Sequence, residues 1–190
     1  MKRVEECDGA GRQAADVGAI FPLNSFYERS GVVLPRFEVI PGTSVPEPYR
    51  GLLVHDRDMT PTLEGHYGGD IHIEVLGRER QGAVYFREVI LRLDTDGRAV
   101  EFGANRIELD RLPSLVRRLV LEEQLPLGHL LKAHEVAHWG RPGAFFRVES
   151  DALMNRAFGL SGARMLYGRR NTLRDPEGRT MSEVVEILPP

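Results

Sequence analysis

Alternation of apolar and polar positions is clearest between Ala83 and Leu93, AVYFREVILRL. Successive residues of a β-strand point to opposite faces. One face of this stretch therefore carries Ala83, Tyr85, Arg87, Val89, Leu91 and Leu93, and the other carries Val84, Phe86, Glu88, Ile90 and Arg92. The first set is apolar except for one guanidinium. A buried ion without a partner costs several kcal/mol, on the order of its desolvation penalty. Arg87 therefore needs a carboxylate of this chain or an anionic ligand, and the pattern leaves both open.

The same reading extends in both directions. Ile71, Ile73 and Val75 alternate with polar neighbours and predict a strand, closed by a turn at Gly77–Gly82. Asp94-Thr95-Asp96-Gly97 is a hairpin signal, with a return strand over Arg98–Ile107. Leu112, Leu115, Val116 and Leu119 recur at helical spacing after Asp110, and Pro126-Leu127-Gly128 ends that helix. HLLKAHEVAHW predicts a further helix, WGRPG a loop, and Ser150–Leu160 a short helix capped by Ser150 or Asp151. Strands follow over Arg164–Arg174 and Arg179–Leu188, joined by a turn at Asp175-Pro176-Glu177-Gly178. Upstream, Asp58 or Thr60 caps a short helix with Pro61 in its first turn, and Val32–Ile40 reads as an edge strand interrupted by Pro35. Residues 1–20 read as a loose, polar, Gly/Ala-rich arm, and 21–190 as one domain. Hairpins joined by a few helices, with no βαβ alternation, predict an α+β class: an antiparallel β-sheet flanked by helices.

Composition narrows the function classes. A formal net charge of -3 supplies no global field for nucleic acid or an acidic membrane, so neither is expected as a partner. The single cysteine, Cys7, excludes an internal disulfide and a cysteine-rich metal site. No apolar run approaches the ~20 residues of a membrane span, and the first residues carry no secretory signal, so the expectation is a cytoplasmic protein.

His134-Glu135-Val136-Ala137-His138 fits H-E-x-x-H, two imidazoles one helical turn apart beside a glutamate. The extended zinc-protease pattern asks for glycine and histidine where this chain has Arg141 and Ala144. The reading is therefore no metal and no cofactor. Arg87 and Glu183 are the stronger candidates. Glu183 alternates with Val185 and Ile187, and Glu186 falls on the opposite face with Val184 and Leu188. Arg87 and Glu183 either pair with each other or grip opposite ends of a small anionic hydroxy acid.

The segments REVIL before a DG turn, PLGHLL, LYGRRNTL and SEVVEILPP, taken in order, resemble the chorismate pyruvate-lyases. The likeness runs from about Leu52 to the C-terminus. LDRLP at Leu109–Pro113 resembles the actinobacterial branch that makes 4-hydroxybenzoate, and HDRDMT at His55–Thr60 resembles the segment before the first active-site helix. The resemblance implies a chorismate lyase-like fold and a lyase that eliminates pyruvate from chorismate without cofactor. It implies that Arg87 binds the ring carboxylate and that Glu183 meets the phenolic hydroxyl. It also implies backbone contacts to the substrate at Met59 and Leu127. Arg169 or Arg170 would receive the second carboxylate. The alternative is a non-catalytic domain of the same fold that binds a small aromatic acid, like the effector domains of one family of bacterial transcription regulators. Those follow a DNA-binding helix pair, and the first ~50 residues here show none.

Overall fold

The computed structural model describes residues 17–190. The expected arm falls mostly on residues 1–16, outside the described residues; at its end, Ala19 and Ile20 are buried in the core. Seven strands form one antiparallel sheet: β1 (Phe37–Ile40), β2 (Ile71–Gln81), β3 (Val84–Leu93), β4 (Ala99–Glu108), β5 (Trp139–Glu149), β6 (Met165–Arg174) and β7 (Thr180–Leu188). Their spatial order is β1-β5-β6-β7-β4-β3-β2. Among the described residues the helices are α1 (Leu23–Ser30), α2 (Tyr49–Leu53), α3 (Met59–Tyr67), α4 (Ser114–Glu122), α5 (Leu127–Ala133) and α6 (Ala152–Phe158).

The sheet is covered on both faces. On one, Leu23 and Tyr27 of α1 and Met154 and Ala157 of α6 pack on Ile90, Phe102, Phe146, Val185 and Ile187. On the other, Leu52, Leu53, Met59 and Leu63 of α2 and α3 pack on Ile73, Val89 and Leu91. Beside them, Val116, Val120, Leu127 and Leu130 of α4 and α5 pack on Tyr85, Ile107 and Leu173. β3 is buried on both sides as a result, which is why its two alternating sets are both rich in large side chains.

Two features bring the strands close. A Cβ on Gly103 would lie 2.0 Å from the Val185 carbonyl oxygen, and one on Gly168 would lie 2.6 Å from the Glu186 carbonyl oxygen. Only glycine fits at either point.

Several expectations need correction. β2 runs on through the predicted turn to Gln81, with a bulge between Val75 and Gly77 that absorbs the glycine. The WGRPG loop is the first half of β5; Pro142 is tolerated because the ladder to β6 shifts register between Pro142 and Ala144. The helix of HLLKAHEVAHW stops at Ala133, and Glu135 takes a positive φ of 49°. His134 and His138 therefore do not share a helical face. No helix among the described residues is long and apolar enough to cross a membrane.

Candidate functional site

Pairing registers place Arg87 opposite Asn105, Asn105 opposite Val184, and Val184 opposite Asn171. The neighbouring row is Val89, Gly103, Glu186 and Arg169. These rows face the side covered by α2–α5, at the seam between the two helix pairs. There the start of α3 (Met59 and Thr60, with Asp58 just before) and the start of α5 (Leu127 and Gly128, with Pro126 just before) meet over a cavity of about 40 Å³. Its floor is Arg87, Asn105, Asn171 and Val184, and its far end holds Glu101 and Glu186.

Arg87 is fully buried. Its Nε and Nη1 have no hydrogen-bond partner, and no carboxylate among the described residues forms an ion pair with it. Burial is the chief cause that pushes its pKa down to about 10; Tyr85 and Glu123 work in the other direction. Even so the group stays charged at neutral pH. A cation in an enclosed site without an anion has the chemistry of a receptor for a carboxylate or phosphate, which a guanidinium grips with two parallel hydrogen bonds. The start of α3 adds to this. Asp58 gives no side-chain cap to the helix, because both its oxygens face His138 Nε2 at 3.1 and 3.0 Å. The uncapped first turn favours negative charge. The Asp58 contact is also the main reason that the His138 pKa is raised, and His138 Nδ1 donates to the Val136 carbonyl at 2.7 Å.

Arg169 shares that face but is committed elsewhere. It is fully buried and pairs with Glu186 through Nε. Nη1 donates to the carbonyls of Leu53 (3.1 Å) and His55 (2.8 Å), and Nη2 to that of Arg57 (3.0 Å). Its role here is to hold the segment before α3 against the sheet, not to receive a ligand carboxylate. His55 Nδ1 also accepts from Arg169, at 3.2 Å; burial and that cation lower the imidazole's pKa and keep it neutral.

Glu101 sits four strand positions along from Asn105, about 13 Å away along the strand. Burial first, and then the charge of Glu186, raise its pKa well above the carboxylate range. Its Oε2 is buried without a partner, as is Asn171 Oδ1. Burial thus favours the protonated form of Glu101, so the cavity holds a guanidinium at one end and a carboxyl that resists ionisation at the other.

Of the residues expected at the site, Arg87, Met59 and Leu127 line this cavity. Glu183 and Arg170 do not. They lie on the opposite face, where Glu183 pairs with Arg170 and, at 3.4 Å, with Arg106. The strand period explains this: Val184 and Glu186 point toward Arg87, so Glu183 points away. Asn105, Asn171, Glu101 and Glu186 were not among the residues expected at the site. The hairpin that opposes β3 and β4 carried the signal for the first, and the alternation already noted for Glu186 carried the signal for the last. Among the described residues, no group of three or more His, Cys, Asp or Glu side chains is arranged to hold a metal ion.

No protein-family model and no curated protein matches this chain. Solved structures do. PhnF from Mycobacterium smegmatis is similar with a TM-score of 0.51 and 13% identity, over 69% of this chain and 63% of that one. The chain thus spans less than two thirds of PhnF. The effector domain of PhnF alone is similar with a TM-score of 0.52 and 13% identity, over 70% of this chain and 88% of that one. A Staphylococcus aureus gene product gives 0.53 at 8% identity, over 72% and 90% of the two chains. The ligand-binding domain of a putative GntR-family transcriptional regulator from Bordetella bronchiseptica gives 0.47 at 12%, over 63% and 85%. The neighbour with a stated role and a TM-score above 0.5 is an effector domain, and against it the expectation of an enzyme, a chorismate pyruvate-lyase, is withdrawn. The position of Glu183 behind the sheet removes the second group that the lyase reading required. The chain has the antiparallel α+β, chorismate lyase-like fold that the PhnF effector domain also has.

Proposed function

We propose that this domain binds a small organic anion and does not transform it. The observation that carries the reading is Arg87: a fully buried guanidinium with unpartnered nitrogens, facing an enclosed cavity under the uncapped start of α3. Folding would not retain such a charge for stability, since an apolar residue of similar volume is the more stable choice. Apolar walls from Ile73, Val89, Leu91, Leu127 and Val184 suit a carbon skeleton, and Asn105, Asn171 and the carboxyl of Glu101 suit polar substituents on it. A small aromatic acid such as 4-hydroxybenzoate meets these requirements. A cavity of about 40 Å³ has room for about three waters, so a ring enters as the start of α3 and the start of α5 move apart. That coupling of occupancy to lid position is what an effector-sensing domain needs. We place this activity in the cytoplasm.

Calorimetric titration with 4-hydroxybenzoate tests the proposal. The parent should bind saturably, Arg87→Met should lose at least about thirtyfold in affinity, and Glu183→Gln should bind as the parent does. Incubation with chorismate should release no pyruvate above the uncatalysed rate. Equal affinity in Arg87→Met and the parent overturns the assignment.

A further inference from the structure

The face of the sheet behind Arg87 carries a second, larger cavity of about 690 Å³. It lies between the C-terminal half of α1, the bulged part of β2 and the start of α6. Phe26, Val32, Val33, Leu76 and Leu153 wall it, and Glu88 lines its floor. Strand alternation makes this arrangement: Arg87 and Glu88 are consecutive, so each serves a different face. The volume falls in the range of ~300–1,000 Å³ typical of small-molecule sites. Val32, Val33 and Leu76 remain exposed at its mouth, which leaves large apolar side chains in contact with water.

Glu88 is the group that gives the cavity its chemistry. Its relative exposure is 9%, and among the described residues neither a hydrogen bond nor an ion pair engages its carboxyl. Most of the polar groups around it are committed. The Tyr27 hydroxyl donates to Asp151 Oδ2 at 2.6 Å, and Met154 N–H donates to Asp151 Oδ1 at 2.9 Å. Arg29 pairs with Glu79 at 2.6 Å and lies over the Phe26 ring at 4.5 Å. Arg78 pairs with Glu123 across the sheet edge. Arg156, on α6, stands exposed at the rim. An apolar cleft floored by one uncommitted acid is complementary to an apolar body carrying one positive charge. An acidic ligand would meet Glu88 and the charge of Asp151, and a neutral apolar one would leave the carboxyl dry and unpaired.

We propose that this cavity is a second ligand site, distinct from the anion site, and that it takes a hydrophobic amine whose ammonium pairs with Glu88. The titratable groups around Glu88 are Asp151 just before α6, Arg156 on α6, and Tyr27 and Arg29 from α1; Arg78 of β2 also lines the cavity but stands opposite Arg87 and pairs with Glu123. Burial, with Asp151 adding to it, raises the carboxyl's pKa to about 7, and Arg29 opposes both. Pairing with an ammonium requires the ionised form, so affinity for an amine rises with pH across this range.

Calorimetry with 2-phenylethylamine tests the site, with 2-phenylethanol and 3-phenylpropionate as comparators of like shape. The amine should bind saturably, the alcohol at least about tenfold more weakly, and the acid not at all. Glu88→Gln should reduce amine affinity at least about tenfold and leave the alcohol unchanged. Amine affinity should rise about tenfold from pH 6 to pH 8 in the parent and stay flat in Glu88→Gln. Leu153→Trp, which fills the cavity from α6 without touching Glu88's charge, should abolish amine binding. Full amine affinity in Glu88→Gln or in Leu153→Trp overturns the proposal. So does tighter binding of the acid than of the amine, or the absence of saturable amine binding to the parent.

Discussion

Replacing Arg87 by methionine should make the ligand-free protein more stable. Methionine keeps most of the unbranched stem and its packing against Val89, and it removes the charge. The cost of holding that charge follows from the structure. Burial brings the guanidinium down to about 10, and each pKa unit corresponds to about 1.36 kcal/mol, so the charged form bears a penalty of about 3 kcal/mol. Methionine is smaller, and the space left by the guanidinium gives back about 1 kcal/mol in lost contacts. The net gain expected is about 1–2 kcal/mol, or roughly 1 M in the urea midpoint, with an unchanged slope. Equilibrium urea unfolding, followed by far-ultraviolet circular dichroism at pH 7, measures it. Ligand should close or reverse the gap: at one hundred times the parent's Kd, 4-hydroxybenzoate adds about 2.7 kcal/mol to the parent and at most about 0.9 kcal/mol to Arg87→Met. A ligand-free Arg87→Met protein that unfolds at lower urea than the parent by more than about 0.5 M would show that the guanidinium stabilises the fold. The receptor argument would then fail.

Other consequences can be measured on the same protein. Glu88 is raised to about 7, Glu101 is raised well above the carboxylate range and His138 is raised too, so each binds its proton more tightly when folded. Stability from these groups is present on the acid side and lost as pH climbs, for Glu88 up to about 7, so the melting temperature should fall from pH 5.5 to pH 8 and fall less in Glu88→Gln. Gly103→Ala places a methyl 2.0 Å from a backbone oxygen of the central strand pair. It should cost more than about 3 kcal/mol, read as a fall of about 10 °C in melting temperature. Arg169→Met leaves Glu186 buried and unpaired and should cost about 3–5 kcal/mol in urea unfolding. Adding Glu186→Gln should restore more than half of the loss, and a double variant no more stable than the single one would mean that the carbonyl contacts, not the ion pair, dominate.

The central hairpin was legible because its two signals agree. Alternation gave β3, and Asp96-Gly97 gave the turn that returns β4 along it. Arg87 was legible for the same reason, as one charge in an apolar set. Glu183 was misplaced because alternation says that Glu183 and Glu186 face opposite ways but not which of them faces Arg87. The two glutamates of β7 differ by three positions and so face opposite ways, and the register to Asn105 decides which of them meets Arg87. Sequence pattern does not fix register across a pair brought together by long-range folding. WGRPG was read as a loop because proline and two glycines outweigh local strand propensity. In the structure a neighbouring strand supplies the ladder, and a bulge removes the conflict at Pro142. The histidine pair failed for the opposite reason: helical spacing was assumed beyond the point where Glu135 turns the chain. The cavity behind Glu88 had no local signal, because α1, β2 and α6 reach it from 125 residues apart in the chain, Phe26 to Asp151.

The many bonds of Arg169 give the anion cavity two unlike walls. Three backbone carbonyls on the α2–α3 side are bolted to the sheet through one side chain. The α5 side rests mainly on aliphatic contacts of Leu127, Leu130 and Leu131, with one long polar contact at 3.5 Å between His129 and Glu64 of α3. Aliphatic surfaces slide with little directional resistance, whereas a pinned loop does not. For the proposed binding function, traffic into and out of the chamber would therefore pass on the α5 side, and a swing of that short helix would be the movement by which occupancy becomes visible from outside.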